Sequence, residues 1–180
     1  MKKIYIVRHC EATGQPPESS LTQKGFEQSL KLKHFFSNIL VDRIISSPFL
    51  RAVQSIQPTV NHKQLQLEVD HRLAERVLTS KVYPDWLTKL EETYSDLELK
   101  FKGGESSKEA IERVLLLVKE IINHESEHTI IVTHGNLMSL LLMHFDSEFG
   151  FEQWKMLSNP DVYELSIDPQ HTEFKRIWNG

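Results

Sequence analysis

Two short apolar strands, each followed by a histidine, constrain this chain more than any other feature of its sequence. Residues 4–7 lead into Arg8 and His9, and residues 129–133 lead into His134. Both runs are rich in β-branched residues and do not alternate with charged ones, which is typical of strands buried on both faces of a parallel sheet. Open α/β sheets bind ligands at the carboxyl ends of their strands. The sequence therefore predicts that the two imidazoles meet in one site.

The length and composition are those of one globular domain, which we expect to span residues 1–180. The net charge of −4 gives no overall field for nucleic acid or anionic lipid, so neither is expected as a partner. Cys10 is the only cysteine, which excludes an intrachain disulfide and fits a reducing compartment. The apolar run near Met1 is too short for a signal peptide or a membrane span, so a cytoplasmic protein is predicted. The sequence leaves the oligomeric state open.

Helical and strand patterns alternate along the chain. Capping and turn signals predict five helices, at residues 22–40, 49–59, 84–92, 106–123 and 136–145. Further strands are predicted at residues 44–46, 65–69, 162–167 and 172–178. Residues 70–104 have the weakest pattern. This order predicts a three-layer α/β/α sandwich with a mainly parallel sheet, whose last two strands form a hairpin at one edge.

The residues at the predicted strand ends suit chemistry on a phosphoryl group. Such a group spreads charge over three oxygens, so its transfer depends on positioning and electrostatic stabilisation. Arg8 and Arg51 each offer a planar, permanently charged fork for phosphate oxygens. His134 can donate a hydrogen bond, and the helix that follows at Gly135 presents backbone amides to an anion. His9 is then the predicted nucleophile, forming a phosphohistidine that water hydrolyses.

Taken singly, these residues have simpler explanations. An arginine at a strand end can be part of a salt bridge, and one in a helix is often solvated. A lone histidine can be a core residue bonded to a carbonyl. The joint placement of four such residues at strand ends favours a functional site.

Three segments resemble the signatures of the histidine phosphatase superfamily, the phosphoglycerate-mutase-like group. They are residues 8–11 (RHCE), 46–55 (SSPFLRAVQS) and 132–135 (VTHG), with weaker matches at 21–28 and 104–106. They occur in the family's order over most of the chain. The resemblance implies the phosphoglycerate-mutase-like fold and a member of the phosphatase branch. It also implies that His9 is the nucleophile and that Arg8, Arg51 and His134 bind the phosphoryl group.

A leaving alkoxide needs a proton, so a carboxylic acid should lie near His9. The resemblance implies Glu75, in the sequence Leu-Ala-Glu, as this general acid. The neighbouring arginines, among them Arg76, leave a simple charge pair as the alternative. Glu11 and Glu105 are rival acids. The family often continues after this glutamate with a glycine and a second acidic element, which this chain lacks.

Two positions in the first signature depart from the family. Cys10 replaces a common glycine, and Gln15 stands where the family has an asparagine that binds phosphate. Gln15 can still offer its amide to a phosphate oxygen. A cysteine beside cations can have a lowered pKa and be oxidisable. We favour the simpler interpretation that Cys10 is a small buried side chain.

One further pattern, His124-Glu-Ser-Glu-His128, matches the zinc-protease motif H-E-x-x-H. Zinc binding by this motif needs both histidines on one face of a continuous helix. Here the pattern lies across the predicted end of a helix and the start of a strand. We therefore expect no metal site there.

These observations predict a metal-independent phosphomonoester phosphatase without a cofactor, acting on a small-molecule phosphomonoester. The alternatives are a cofactor-dependent phosphoglycerate mutase and a non-catalytic phosphate-binding or regulatory domain. A mutase must shield its phosphohistidine from water with a lid. Family mutases are longer, and here only residues 70–104 are available as a cover, so hydrolysis is expected to win. The sequence does not identify the substrate.

Overall fold

The computed structural model describes residues 1–180 and contains six strands and six helices. The strands are β1 (Lys2–Arg8), β2 (Arg43–Ser46), β3 (Leu67–Val69), β4 (His128–Thr133), β5 (Asp161–Ile167) and β6 (Thr172–Arg176). The helices are α1 (Gln23–Phe36), α2 (Leu50–Lys63), α3 (Trp86–Ser95), α4 (Ser107–Asn123), α5 (Gly135–Phe145) and α6 (Phe151–Lys155). A short 3₁₀ turn at His71–Leu73 follows β3.

The six strands form one sheet in the order β3-β2-β4-β1-β5-β6. The four strands from β3 to β1 are parallel, and β5 and β6 add an antiparallel hairpin beside β1. Both the mainly parallel sheet and the hairpin at its edge are therefore confirmed. In the central pair, Val7 lies opposite Val132 and Arg8 opposite Thr133, so β1 and β4 end at the same level.

Successive side chains of the central strands point to opposite faces of the sheet, and each face has its own core. One core joins α4 and α5 to strand residues Ile4, Ile6, Ile45 and Ile131. The other joins α1 and α2 to Tyr5, Val7, Ile44, Ile130 and Val132. The two cores make helix, sheet and helix layers, which confirms the three-layer sandwich.

Helix α1 is shorter than predicted, and its buried face is formed partly by small residues. It ends at Phe36, because the chain turns there so that Ile39 can pack against the core on the way to β2. Two of its large apolar side chains, Phe26 and Leu30, are 43% and 53% exposed. The buried face instead consists of Gly25, Ser29, Leu32 and Phe36. At Gly25 the absence of a side chain lets the helix approach the backbone of Glu11.

Other boundaries differ by a few residues. Helix α2 continues through Pro58 to Lys63, where Gln64 adopts a left-handed conformation with φ of 56° and ends it. Helix α3 begins and ends slightly later than predicted, and β6 ends before Trp178. Helix α6 was not predicted, because five residues are too few for a periodic pattern. The capping box at Ser106 and Glu109 is present as predicted.

None of the helices combines the length and the apolar character that a bilayer-spanning segment requires.

Gly25 provides a test of the close packing between α1 and the loop after β1. A Cβ atom at this position would lie 2.0 Å from the backbone oxygen of Glu11 and 3.0 Å from Cβ of Leu21. Helix propensity alone would favour alanine by about 1 kcal/mol. Because a backbone carbonyl cannot rotate away, we expect overpacking to outweigh this gain. Gly25→Ala should lower the free energy of unfolding by roughly 2 kcal/mol, measured by urea denaturation.

Glu27→Ala is the matched control in the same helix, since Glu27 is exposed and its side chain forms no hydrogen bond or ion pair. Its free energy of unfolding should stay within about 0.5 kcal/mol of the wild type. A Gly25→Ala protein that is more stable than the wild type would contradict the packing described here.

Candidate active site

The carboxyl ends of β1 and β4 open onto a cavity of about 630 Å³. Because Arg8 pairs with Thr133, the residues that follow, His9 and His134, leave the sheet side by side. Their ring centroids are 5.1 Å apart. The two imidazoles thus meet as the sequence predicts. The cavity is lined by Arg8, His9, Glu11, Ala12, Thr13, Gly14, Gln15, Glu75, Arg76, Leu78, Thr79, Trp86, Leu90, Gly135, Asn136, Trp154 and Asn159.

The imidazole of His9 is held in one tautomer. Its Nδ1 lies 2.6 Å from the backbone oxygen of Cys10, and a carbonyl can only accept, so Nδ1 carries the proton. Its Nε2 accepts from Nε of Arg51 at 3.2 Å. Burial, together with the charges of Arg51 and Arg8, lowers the pKa of His9 to about 3. The ring is therefore neutral near pH 7, with the lone pair on Nε2.

Arg51 is buried and Arg8 is partly buried, and both donate to neutral carbonyls. Nη1 of Arg8 donates to the backbone oxygen of Leu157 at 2.8 Å, and its buried Nε has no partner. Nη1 of Arg51 donates to the carbonyls of Gln15 and Pro16, each at 2.9 Å. Burial lowers the pKa of both guanidinium groups. Their orientation is fixed but no carboxylate neutralises their charge, which favours an anion beside them.

His134 is fully buried at the N-terminus of α5. Its Nε2 lies 2.7 Å from Oγ of Ser47, and its Nδ1 has no partner. Oγ of Ser47 already accepts from the amide of Phe49, so its own proton can go to Nε2. That arrangement leaves Nδ1 protonated and free to donate. Burial, followed by the charges of His9 and the arginines, places the pKa of His134 well below its usual value.

Ser47 is a site residue to which the sequence analysis gave no role. It lies within the second signature, but an uncharged side chain beside Pro48 gives no signal of its own. Its contact with His134 spans 87 positions of sequence and becomes visible only when β2 and β4 are paired.

Gly135 allows Arg8 to approach the first turn of α5. A Cβ atom at position 135 would lie 3.0 Å from Nε of Arg8 and 3.1 Å from its Cζ. Such contacts are tighter than ordinary van der Waals packing, so a side chain at this position would displace the guanidinium. The glycine therefore positions Arg8 as well as exposing the helix amides.

The three candidate acids lie in different surroundings. Glu75 lines the cavity and accepts from the α5 amides of Asn136 and Leu137, at 3.1 and 3.0 Å, without any ion pair. Glu11 accepts from Thr22 and is paired with Lys24 at 3.1 Å; these contacts lower its pKa, so it stays ionised. Both oxygens of Glu105 bind Arg113, at 2.8 and 2.9 Å. Only Glu75 combines a place at the cavity with freedom from a cation.

The remaining predicted positions are also placed. Gln15 lines the cavity with an exposed side chain that forms no hydrogen bond within the protein. Cys10 is fully buried, and burial raises the pKa of its thiol to about 12. The interpretation of Cys10 as a thiol with a lowered pKa is therefore wrong. The interpretation of Cys10 as a small buried side chain is confirmed.

The H-E-x-x-H pattern does not lie on one helix. His124 follows the last residue of α4, and His128 begins β4. The structure contains no group of three or more His, Cys, Asp or Glu side chains placed to hold a metal ion.

The lowered pKa of His9 has a consequence for stability. An unfolded histidine has a pKa near 6.5, whereas folded His9 has a pKa of about 3. Between these values only the unfolded chain takes up the proton, so stability falls as the pH falls below 6.5. His9→Asn should remove this term. Going from pH 7.5 to 5, it should lose about 2 kcal/mol less stability than the wild type, measured by urea denaturation.

At pH 7.5 His9 is neutral in both states, so the difference between the two proteins there reports only the lost contacts with Cys10 and Arg51. Parallel stability curves for both proteins from pH 7.5 to 5 would show that His9 titrates normally in the folded state.

Comparison with known proteins gives a consistent result. The family model of the histidine phosphatase superfamily (branch 1) matches residues 4–180. A curated relative from Hydrogenobacter thermophilus, named as a candidate phosphoserine phosphatase, is 27% identical over 93% of this chain and 91% of its own. Mycobacterial glucosyl-3-phosphoglycerate phosphatase, solved with inorganic phosphate, superposes with a TM-score of 0.80 at 20% identity, over 100% of this chain and 98% of its own.

The α-ribazole phosphatase of Shigella flexneri superposes with a TM-score of 0.77 at 18% identity, covering 97% of this chain and 95% of its own. At these identities the solved structures establish the shared fold. The match of the family model over nearly the whole chain shows more: this protein belongs to the histidine phosphatase superfamily, branch 1.

Proposed function

We propose that this protein is a metal-independent phosphomonoester phosphatase that works through a phosphohistidine on His9. The observation that carries the proposal is the state of that imidazole. Its Nδ1 proton is bound by the Cys10 carbonyl, so the lone pair of Nε2 faces Arg51 in a neutral ring. A neutral, oriented imidazole beside uncompensated cations is suited to attack on a phosphoryl group.

In the first step the phosphoryl oxygens take hydrogen bonds from Arg8, Arg51 and Nδ1 of His134, with the amides at Gly135 nearby. Ser47 supports this arrangement because its hydroxyl keeps the proton of His134 on Nδ1. Nε2 of His9 attacks phosphorus as the bond to the ester oxygen breaks. Two arginines supply the positive charge that a metal ion would otherwise provide.

Glu75 gives its proton to the departing ester oxygen. It is suited to this role because it lies at the cavity, without an ion pair, and the first-turn amides of α5 hold its carboxyl group in place. In the second step the resulting carboxylate takes a proton from water, which attacks the phosphohistidine and releases inorganic phosphate. The exposed amide of Gln15 can donate to a phosphate oxygen in both steps.

The substrate class is a small phosphomonoester. The relatives named above act, by their names, on phosphorylated metabolites, and the cavity of about 630 Å³ is of the size that holds such ligands. The single, buried thiol of Cys10 fits a cytoplasmic setting. We propose no nucleic acid or membrane partner.

The central experiment follows phosphate onto and off the protein. Incubation with ³²P-labelled phosphomonoester and an acid-free quench should trap label on His9, in an adduct that is stable to base and labile to acid. The wild type should release inorganic phosphate steadily, without any need for 2,3-bisphosphoglycerate. His9→Ala should lose the adduct and at least about 1,000-fold in kcat.

His62→Ala is the matched control, because His62 is exposed on α2 and away from the cavity. Label on another residue would remove His9 as the nucleophile. Rapid exchange of 3- and 2-phosphoglycerate with negligible phosphate release would instead identify a mutase.

Substrates with different leaving groups can show whether Glu75 acts as the general acid or only supports the structure. An alkoxide needs a proton as it departs, whereas a phenolate with a low pKa does not. Glu75→Gln should therefore lower kcat/KM roughly 100-fold or more for an alkyl phosphate and much less for p-nitrophenyl phosphate. The measurement is steady-state phosphate release from both substrates.

Glu11→Gln is the comparison variant, since Glu11 is held by Thr22 and Lys24. It should affect alkyl and aryl substrates equally. Equal losses for both substrates in Glu75→Gln would show that Glu75 only supports α5.

A further inference from the structure

The seven arginines of this protein divide into two groups. Four form ion pairs with carboxylates: Arg43 with Glu68, Arg72 with Asp70, Arg113 with Glu105, and Arg176 with Asp161. The guanidinium groups of the other three, Arg8, Arg51 and Arg76, contact no carboxylate. Two of these three belong to the proposed phosphoryl site. The third has no role in the chemistry described so far.

Arg76 is a buried cation held only by neutral acceptors. It is 6% exposed. Its Nε donates to the backbone oxygen of Glu105 at 2.9 Å, and its Nη1 donates to Oγ1 of Thr93 at 2.9 Å and to Oδ1 of Asn136 at 3.5 Å. Its Nη2 is buried and has no partner. Burying a charge without a counterion is costly, so the chain keeps this guanidinium at the expense of stability.

The position of Arg76 relates it to the leaving group. Arg76 lines the same cavity as His9. It contacts Asn136, whose amide donates to Glu75 at 3.1 Å. Since Glu75 is the proposed donor to the departing ester oxygen, Arg76 lies on the leaving-group side, whereas Arg51 contacts the nucleophile. Its neighbours along the wall include the apolar residues Leu78, Trp86 and Leu90, together with the polar Thr79 and Asn136.

We infer that Arg76 binds a carboxylate on the alcohol part of the substrate, within a few bonds of the ester oxygen. This inference rests on the proposed phosphatase function. Arg76 has one donor nitrogen without a partner, Nη2, and no other guanidinium or ammonium group lies on this side of the cavity. One such donor suits a singly charged carboxylate better than a second phosphate, which needs several donors. The preferred substrates are then phosphomonoesters of hydroxy acids.

A purely structural role for Arg76 is the competing explanation, because its side chain also joins the segments of Thr93, Glu105 and Asn136. The two roles differ in what they do to substrate choice. A structural role lowers activity on every substrate alike. A carboxylate-binding role changes the ratio between substrates that differ only in that group.

Two matched pairs measure this ratio: O-phosphoserine against O-phosphoethanolamine, and 3-phosphoglycerate against glycerol 3-phosphate. The wild type should prefer the carboxylate member of each pair in kcat/KM by roughly 10- to 100-fold, as expected for a charge-assisted hydrogen bond. Arg76→Met, which keeps most of the side-chain volume, should bring both ratios close to one. Arg76→Lys should keep part of the preference. A ratio measured on one preparation does not depend on the fraction of folded protein.

Arg43→Met is the control, because it removes another buried guanidinium whose partners are Glu68 and Glu120 and which does not line the cavity. Its ratios should equal those of the wild type. Wild-type ratios near one, or ratios that Arg76→Met and Arg76→Lys leave unchanged, would overturn the inference.

Ligand affinity can be measured without turnover by calorimetry on His9→Ala, which lacks the proposed nucleophile. O-phosphoserine should bind more tightly than O-phosphoethanolamine, and Arg76→Met in the same background should remove the difference. If His9→Ala shows this difference in affinity but the wild type is not labelled on His9, the carboxylate site is supported and the phosphohistidine pathway is contradicted. If the wild type is labelled on His9 but His9→Ala binds both ligands with equal affinity, the phosphatase function is supported and the carboxylate site is contradicted.

Discussion

The parallel pairing of β1 with β4 is the constraint on which the whole site depends. It places Arg8 opposite Thr133, so that His9 and His134 leave the sheet as neighbours, and it brings the first turn of α5 against the Arg8 guanidinium. Apolar side chains on both faces fix that register, because a shift by one residue would exchange the two cores. Packing inside the sheet therefore determines chemistry at its edge.

The residues of the site lower the stability of the fold. It gathers guanidinium groups without carboxylates and two imidazoles that burial keeps neutral. Three of its polar atoms have no partner: Nε of Arg8, Nδ1 of His134 and Nη2 of Arg76. Buried polar groups are normally satisfied, so a cluster of exceptions around one cavity marks where a ligand completes the structure. A bound anion should consequently stabilise the protein.

The sequence was informative where a signal is local. The buried strands, the capping box at Ser106 and the residues that follow β1 and β4 were all predicted, because each depends on neighbours within a few positions. The sequence did not predict features that depend on contacts between distant segments. The buried face of α1 depends on the loop at Glu11, and Ser47 acquires its role from His134. The sequence also could not show that Glu11 and Glu105 are paired with Lys24 and Arg113 whereas Glu75 has no ion pair, because these contacts depend on the fold.

The cavity is built from two sources. The groups that we propose to bind the phosphoryl oxygens end or follow sheet strands or begin the helices after them, whereas the opposite wall comes from residues 75–90 and Trp154, outside the sheet. Substitutions in that wall can accumulate without disturbing the strand ends. This division allows related proteins to differ in substrate through substitutions in the wall, while the residues at the strand ends and the reaction stay the same. It offers a physical reason why relatives that share little sequence can share this fold and carry names for different metabolites.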